Sequence, residues 1–194
     1  MTIGQNRKEI IPGKILFFMP VMPKSSTFTF LPLVHELVER GHQVTVVNAF
    51  GTKKEHPNLT VIKPKSVDLQ AKMKEQTNGE GFDVIIENLA NVNLERDLTM
   101  IKKNARIMVV GSRGPITINP RHLMAPEASI KGVALGSTTD EQYEQIGTAI
   151  SNGIISGWVN PVIDKEYSME EIPNAHYDII NSKGAKGNLV LKIS

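Results

Sequence analysis

The stretch GFDVIIENLANVNLERDLTMIKKNARIMVVGSRG, residues 81–114, determines the fold. Two apolar runs, DVIIENL and RIMVV, flank a segment in which Leu94, Leu98 and Ile101 recur at helical spacing. A strand, a helix and a second strand in this order are typical of a βαβ unit with parallel strands. Because both runs are apolar on both faces, we expect the strands to lie inside a sheet that is covered on each side.

Polar residues follow each apolar run and mark the expected ligand edge. Residues 88–93 follow the first run and residues 111–114 follow the second. Ligands of such sheets bind at the carboxyl ends of the strands. The glycine and serine of the second loop would leave backbone groups open to a ligand, and Arg113 would bind phosphate. A tight turn with a solvated arginine explains that loop equally well. Asn91 and Asn93 are either ligand donors or the N-cap of the helix.

A second βαβ unit precedes this one. The runs KILFFM and QVTVVN predict two buried strands, and the apolar spacing from Phe30 to Val38 predicts an amphipathic helix that ends at Gly41. The turn after the first strand, PVMPKSST, lacks the glycines that dinucleotide folds place there. Residues 25–27 could bind an anion at the helix start, but ordinary capping is the favoured interpretation.

The end of the second strand bears on which dinucleotide would bind. A carboxylate there would bind a ribose 2′-hydroxyl, whereas its absence near cations suits a 2′-phosphate. The residues present are Asn48, Thr52, Lys53 and Lys54. They fit a 2′-phosphate, but lysines are common on surface turns, so this pattern alone does not decide between the two cofactors.

The remaining segments alternate between strand and helix patterns. LTVI predicts a strand, residues 66–79 a helix capped by Ser66, and SIKGVALGS a further strand. Thr139 is the expected cap of a helix with Ile146, Ala149 and Ile150 on one face. The tail then reads as strand, helix and strand, WVNPVIDKEYS, SMEEIPNAHYDIINSKG and NLVLKIS, and we expect it to form a second, incomplete subdomain.

Composition excludes several classes of site. The chain has 194 residues, 40% hydrophobic and 22% charged, with a net charge of +2 and no block of like charge that would indicate nucleic acid or an anionic membrane. It has no cysteine, so disulfides, thiolate metal sites and cysteine nucleophiles are excluded. The histidines show no metal-ligand spacing, and we expect no metal. Without a signal peptide or membrane-spanning pattern, a cytoplasmic protein is expected.

From about Val67 to Ser194 the chain resembles the C-terminal part of the zeta-crystallin type of NADPH:quinone oxidoreductase, in the medium-chain dehydrogenase/reductase superfamily. The residues that carry the resemblance are FDVIIENLANVNLERDL, RIMVVGSRG followed by INPR, GVAL, GWVNPVI and AHYDIINSKGAKGNLVLKI. It implies an α/β, Rossmann-like, doubly wound and mostly parallel sheet that binds NADPH without zinc and transfers hydride to a quinone or similar small electrophilic substrate. By position, the family's cofactor contacts fall on Asn93, Val110, Gly111, Ser112, Arg113, Val133, Ala134 and Leu135.

Residues 14–62 resemble the start of a UDP-glycosyltransferase instead, through the segment PLVHELVERGHQVTVV. In that family's pattern the catalytic histidine falls on Ser26. The expected organisation is a flexible leader at 1–13, a Rossmann-like nucleotide-binding domain at 14–156 with a family join near 62–67, and a return at 157–194 to an incomplete GroES-like catalytic subdomain.

Three functions are consistent with the sequence. The first is an NADPH-dependent quinone reductase, truncated or of reduced activity, whose catalytic residues the sequence does not identify. The second is a non-catalytic α/β nucleotide-binding or interaction module, favoured by the missing glycine turn. The third is a glycosyltransferase acceptor-domain fragment. An apolar patch exposed near the join or on the tail would also promote a homo-oligomer.

Overall fold

The computed structural model describes residues 12–19, 33–48, 56–63, 68–157, 159–161, 163–181 and 188–193. Its main element is a six-stranded sheet in which every paired strand is parallel. The strands are β1 Lys14–Met19, β2 Gln43–Asn48, β3 Leu59–Ile62, β4 Phe82–Glu87, β5 Ile101–Val109 and β6 Ser129–Gly132. Their order is β3-β2-β1-β4-β5-β6, which is the order of a doubly wound dinucleotide-binding sheet. The predicted Rossmann-like α/β fold is confirmed.

Helices cover both faces of this sheet. The described helices of the chain are α1 at residues 33–39, α2 Leu69–Gln76, α3 Ala90–Asp97, α4 Pro120–Met124, α5 Asp140–Ser156 and α6 Ile172–Asn181, the last of which packs on a separate sheet in the tail. Phe17 of β1 packs with Val34 and Val38 of α1 on one face. Its neighbour Leu16 belongs to the cluster on the other face, together with Met73 of α2. Adjacent side chains of a strand point to opposite faces, so β1 is buried on both sides, as its apolar run predicted.

The central βαβ unit departs from the expected boundaries. Ile101, which we expected on the crossover helix, is the first residue of β5 and pairs with Phe82. The helix stops at Asp97 because a turn follows, in which Met100 N donates to Asp97 O. The register between β4 and β5 then shifts, and Asn104 adopts a positive φ of 61° within β5. Helical spacing therefore continued by coincidence into an irregular strand.

Three predicted helix or strand ends were also wrong. Helix α2 begins after Asp68 as N-cap, and Ser66 lies outside the described residues. Helix α3 has Leu89 as N-cap, so Asn91 and Asn93 lie inside the helix and neither caps it. Strand β6 ends at Gly132, after which the chain forms a 3-10 turn.

Helix α5 begins as expected. Thr139 accepts a hydrogen bond from Gln142 N, and the Gln142 side chain accepts one from Thr139 N, which forms a complete capping box. The predicted apolar face is nevertheless open, since Ile146 and Ile150 are 41% and 46% exposed. The described part of the chain therefore leaves this face largely uncovered.

The tail forms a separate small sheet. Strands β7 Ile163–Ser168 and β8 Asn188–Lys192 pair in parallel, and α6 connects them. Tyr167 of β7 is buried, and its hydroxyl donates to Asp178 Oδ2 of α6 at 2.5 Å. Lys165 Nζ donates to the same oxygen at 3.0 Å. These bonds fasten α6 to the small sheet. None of the helices described is long and apolar enough to cross a membrane.

Candidate functional site

The candidate site lies where the winding of the sheet reverses. Strands β1 and β4 are neighbours, with Phe18 opposite Glu87, while β2 and β3 extend to one side and β5 and β6 to the other. A crevice forms outside the carboxyl ends of the strands at such a switch point, and ligands of doubly wound folds bind there. The loops that follow β1 and β2, including Ser26 and Lys53, lie outside the described residues.

The loops that follow β4 and β5 are bonded to each other. Val110 N and Gly111 N donate to Glu87 O at 2.8 and 3.4 Å. Ala90 N donates to Gly111 O at 2.9 Å, and Arg113 N donates to Asn91 Oδ1 at 2.9 Å. The two loops predicted to meet at this edge therefore form one connected wall of the crevice.

Gly111 is required by the approach of these two loops. A Cβ atom built on Gly111 would lie 2.5 Å from the carbonyl oxygen of Asn88, a separation that real Cβ atoms do not show. The sequence indicated Gly111 for its openness to a ligand. The structure gives a second reason, because only glycine lets the loops pass this closely.

Most of the predicted cofactor contacts share this edge. Val133 N donates to Val109 O at 2.9 Å, so the chain after β6 runs beside the end of β5. The residues predicted as contacts that are exposed along the edge are Val110, Ser112, Arg113, Val133, Ala134 and Leu135. Their positions are compatible with the predicted contacts, which stay predictions.

Asn93 has a different environment. Its side chain is buried, with Nδ2 donating to Glu87 Oε1 at 3.1 Å and Oδ1 accepting from Arg96 Nη2 at 2.7 Å. Nδ2 keeps a second hydrogen and Oδ1 a second lone pair, so these bonds do not exclude a ligand contact, but the buried side chain offers little surface for one. The predicted cofactor contact of Asn93 also stays a prediction.

Two buried carboxyl groups at this edge were not identified from the sequence. Glu87 ends β4 and Asp97 ends α3, and both side chains are fully buried. Burial, and then the charge of Glu87 and a hydrogen bond with it, raise the pKa of Asp97 to about 9, whereas Arg96 acts to lower it. Asp97 is therefore protonated at neutral pH. The glutamate within the apolar run DVIIENL was the available signal in the sequence.

Asn88 offers an unpaired hydrogen-bond donor at the crevice, among the described residues. Its Nδ2 is buried and has no hydrogen-bond acceptor in the part of the chain that the structure describes. Buried amide donors are normally paired, so an unpaired one beside the switch point is compatible with a ligand acceptor.

A polar cavity of about 380 Å³ lies at the opposite edge of the sheet. Lys14 and Gln43, the first residues of β1 and β2, contribute to its lining. Because ligands of parallel sheets bind at the carboxyl ends of the strands, this cavity is not the candidate site.

Comparison with known proteins gives one family and several relatives. A family described as zinc-binding dehydrogenase matches residues 41–152. The chain is 42% identical over 161 residues to a quinone oxidoreductase of Sus scrofa, covering 79% of this chain and 49% of that protein. A quinone oxidoreductase of Mus musculus is 48% identical over 120 residues, covering 62% of this chain and 36% of that protein. The chain thus spans about half or less of the length of these relatives.

Solved structures share the fold. A 2-haloacrylate reductase superposes with a TM-score of 0.77 over 98% of this chain and 61% of that chain, at 16% sequence identity. The resemblance to quinone oxidoreductases that the sequence indicated is confirmed by the relatives. The resemblance of residues 14–62 to a glycosyltransferase is not supported, since the family match begins at residue 41 and includes β2.

Proposed function

Since the chain belongs to the zinc-binding dehydrogenase family, we propose that it forms the cofactor-binding part of an NADPH-dependent quinone reductase. The observation that carries the proposal is the connected wall at the carboxyl ends of β4 and β5, beside the switch point of a doubly wound sheet. The activity is proposed on the similarity to quinone oxidoreductases.

The proposed roles follow from the chemistry of the exposed side chains. Arg113 would bind a phosphate of the cofactor, and the backbone groups of Gly111 and Ser112 would face its ribose and phosphates. Val133 and Leu135 would offer apolar surface to a ring, since they are 43% and 68% exposed beyond the end of β6. When bound, the reduced nicotinamide supplies the hydride for a quinone or similar electrophile.

The residues that the structure describes do not fit a zinc ion. There is no cysteine in the chain, and within the described ranges no three histidine, aspartate or glutamate side chains are grouped so that they could hold a metal. Zinc sites in proteins use three or four such ligands. We therefore propose a reaction that this chain supports through cofactor binding without a metal of its own.

The choice of NADPH over NADH is proposed from the sequence. Lys53 and Lys54 follow β2, and no acidic residue precedes them after Asn48. A carboxylate at that strand end would favour NADH by binding its 2′-hydroxyl. Lysine side chains there would favour the 2′-phosphate of NADPH.

A binding titration tests the proposal. NADPH fluorescence should change saturably on addition of the protein, and NADH should bind at least about tenfold more weakly if one charge-assisted contact to the 2′-phosphate is lost. NADPH oxidation with a small quinone should then be measured. Absence of saturable binding at millimolar cofactor would refute the proposal, and binding without oxidation would favour the non-catalytic nucleotide-binding module.

We also propose that the protein is cytoplasmic and that it forms a homo-oligomer. Helix α5 exposes a row of apolar side chains, among which Ile154 and Ile155 are 58% and 84% exposed. Contiguous exposed apolar surface favours association. Light scattering on a sizing column should show a mass above that of the 21.4 kDa chain, whereas a monomer would contradict this part of the proposal.

A further inference from the structure

Glu87 connects the two loops of the candidate site. Its backbone oxygen accepts from Val110 N and Gly111 N of the loop after β5. Its side-chain Oε1 accepts from Leu89 N and from Asn93 Nδ2, in the segment after its own strand. A single buried residue therefore holds both sides of the wall, through its main chain on one side and its carboxylate on the other.

The remaining carboxyl oxygens of Glu87 and Asp97 receive no hydrogen bond from an N–H or hydroxyl group of the described residues. Glu87 Oε2 and both carboxyl oxygens of Asp97 are buried and have no N–H or hydroxyl donor among the described residues. Two buried carboxylates in contact would repel each other and lose their hydration. One proton shared between the groups removes this repulsion and gives both groups a hydrogen bond.

The electrostatics of Asp97 agree with a shared proton. The pKa of Asp97 is raised to about 9 by burial, by the charge of Glu87 and by a hydrogen bond between the two carboxyl groups. Arg96, on the same helix, opposes this effect and donates to Asn93 Oδ1. On the outer side of α3, Glu95 pairs with His122 of α4 at 2.8 Å.

We infer that Glu87 is the positioning residue of the proposed nucleotide site, and that a proton held between Glu87 and Asp97 keeps its carboxylate bonded to the loop after β4. The inference rests on the proposed function only for the identity of the ligand. When the shared proton is lost, the two carboxylates repel, α3 shifts from the end of β4, and Leu89 N and Asn93 Nδ2 lose their acceptor. Glu87 itself needs no contact with the ligand.

Three variants separate positioning from general stability. Glu87→Gln keeps the acceptor oxygen and gains a donor toward Asp97, whereas Glu87→Ala removes both. Asp97→Asn keeps a donor toward Glu87 and cannot ionise. For each variant, amide hydrogen exchange at Leu89, Ala90 and Gly111 should be measured without ligand, relative to intrinsic exchange rates, together with NADPH affinity from pH 6 to pH 10.

We expect Glu87→Gln to retain what Glu87→Ala loses, and only a chain that keeps Asp97 to respond to alkaline pH. Glu87→Ala should lose amide protection in the segment from Leu89 to Asn93 and bind NADPH at least about tenfold more weakly, the effect of one lost hydrogen bond. Glu87→Gln should retain both properties. The wild type should lose protection and affinity as pH rises through about 9, and Asp97→Asn should not.

Two results would overturn the inference. One is an equal loss of amide protection and NADPH affinity in Glu87→Gln and Glu87→Ala, and the other is the same alkaline loss of protection in Asp97→Asn as in the wild type. If Glu87→Ala does not fold, the comparison of Glu87→Gln and Asp97→Asn with the wild type still decides. If the wild type binds no NADPH, the proposed function fails, and amide protection alone supports or overturns the positioning role.

Discussion

Gly111 and Asn88 come so close that the loops after β5 and β4 leave no room for a side chain between them. Gly111→Ala should therefore force the loops apart and lower the free energy of unfolding by about 1–3 kcal/mol, the usual cost of overpacking. Urea denaturation measures the change. Gly114→Ala is the matched control, because nothing lies within 4 Å of its added methyl group. Equal effects of the two substitutions would contradict the structure.

Alanine substitutions at Gly81 and Gly79 distinguish the cost of backbone strain from the cost of a steric clash. Both have positive φ, of 92° and 79°, but a Cβ on Gly81 would lie 2.6 Å from the carbonyl carbon of Ile101 while Gly79 faces open space. Gly79→Ala should cost about 1–2 kcal/mol from strain alone. Gly81→Ala should cost at least about 1 kcal/mol more because of the clash. Midpoints of thermal unfolding would test this order, and a smaller effect at Gly81 would reject it.

Arg113 should contribute to cofactor affinity through its positive charge. If it binds a phosphate, Arg113→Ala should weaken NADPH binding by about 1.5–3 kcal/mol, without a change in stability. Arg121→Ala is the control, since Arg121 is also exposed but lies on α4. A titration of both variants decides, and equal affinities would assign Arg113 to a solvated turn.

Asp97 should make stability depend on pH in a defined direction. Its pKa is raised to about 9, so between its ordinary value of 3.8 and about 9 the folded chain holds a proton that the unfolded chain has released. The stabilisation is complete below the ordinary pKa and is lost as pH rises toward 9, by up to about 1 kcal/mol per pH unit. Urea denaturation at pH 5 and pH 8 should show a smaller fall for Asp97→Asn than for the wild type. Equal falls would show that Asp97 does not hold the proton.

Asp178 should control the ionisation of Tyr167. The hydrogen bond with Asp178, and then burial, raise the pKa of Tyr167. Asp178→Asn should bring this pKa back toward its ordinary value, as seen in the ultraviolet absorbance of ionised tyrosine during an alkaline titration. Glu166→Gln, on the same strand, should leave the titration unchanged. A shift in both variants would indicate a general loosening of the small sheet.

Periodicity was sufficient to predict the sheet but not its local ends. The runs that became β1, β2, β3 and β4 were identified because each is apolar and bounded by turn residues. Ile101 was misassigned because its helical spacing from Leu98 does not reveal the turn at Met100. The decisive constraint is the pairing of Ile101 with Phe82, which depends on a residue distant in the sequence.

The candidate site was predicted in outline. Carboxyl ends of parallel strands meet at one edge, so residues 88–93 and 111–114 could be placed there from the order of the strands alone. Glu87 and Asp97 could not be recognised as partners, because their proximity depends on how α3 packs on β4. For the same reason the sequence could not show that the Asn93 amide is used inside the protein.

The strand order has a consequence for folding kinetics. Strands β1 to β3 and strands β4 to β6 form two halves of the sheet, and the pairings within each half are comparatively local in sequence. The hydrogen-bonded pairing of β1 with β4, by contrast, joins residues that are far apart in the chain, such as Ile15 and Val84. Contacts between distant residues are slow to form because their loop-closure entropy is unfavourable. The joining of β1 to β4 is therefore the expected late step of folding. A ligand that spans this seam would oppose its opening, so dissociation of the two halves and dissociation of the ligand should be coupled.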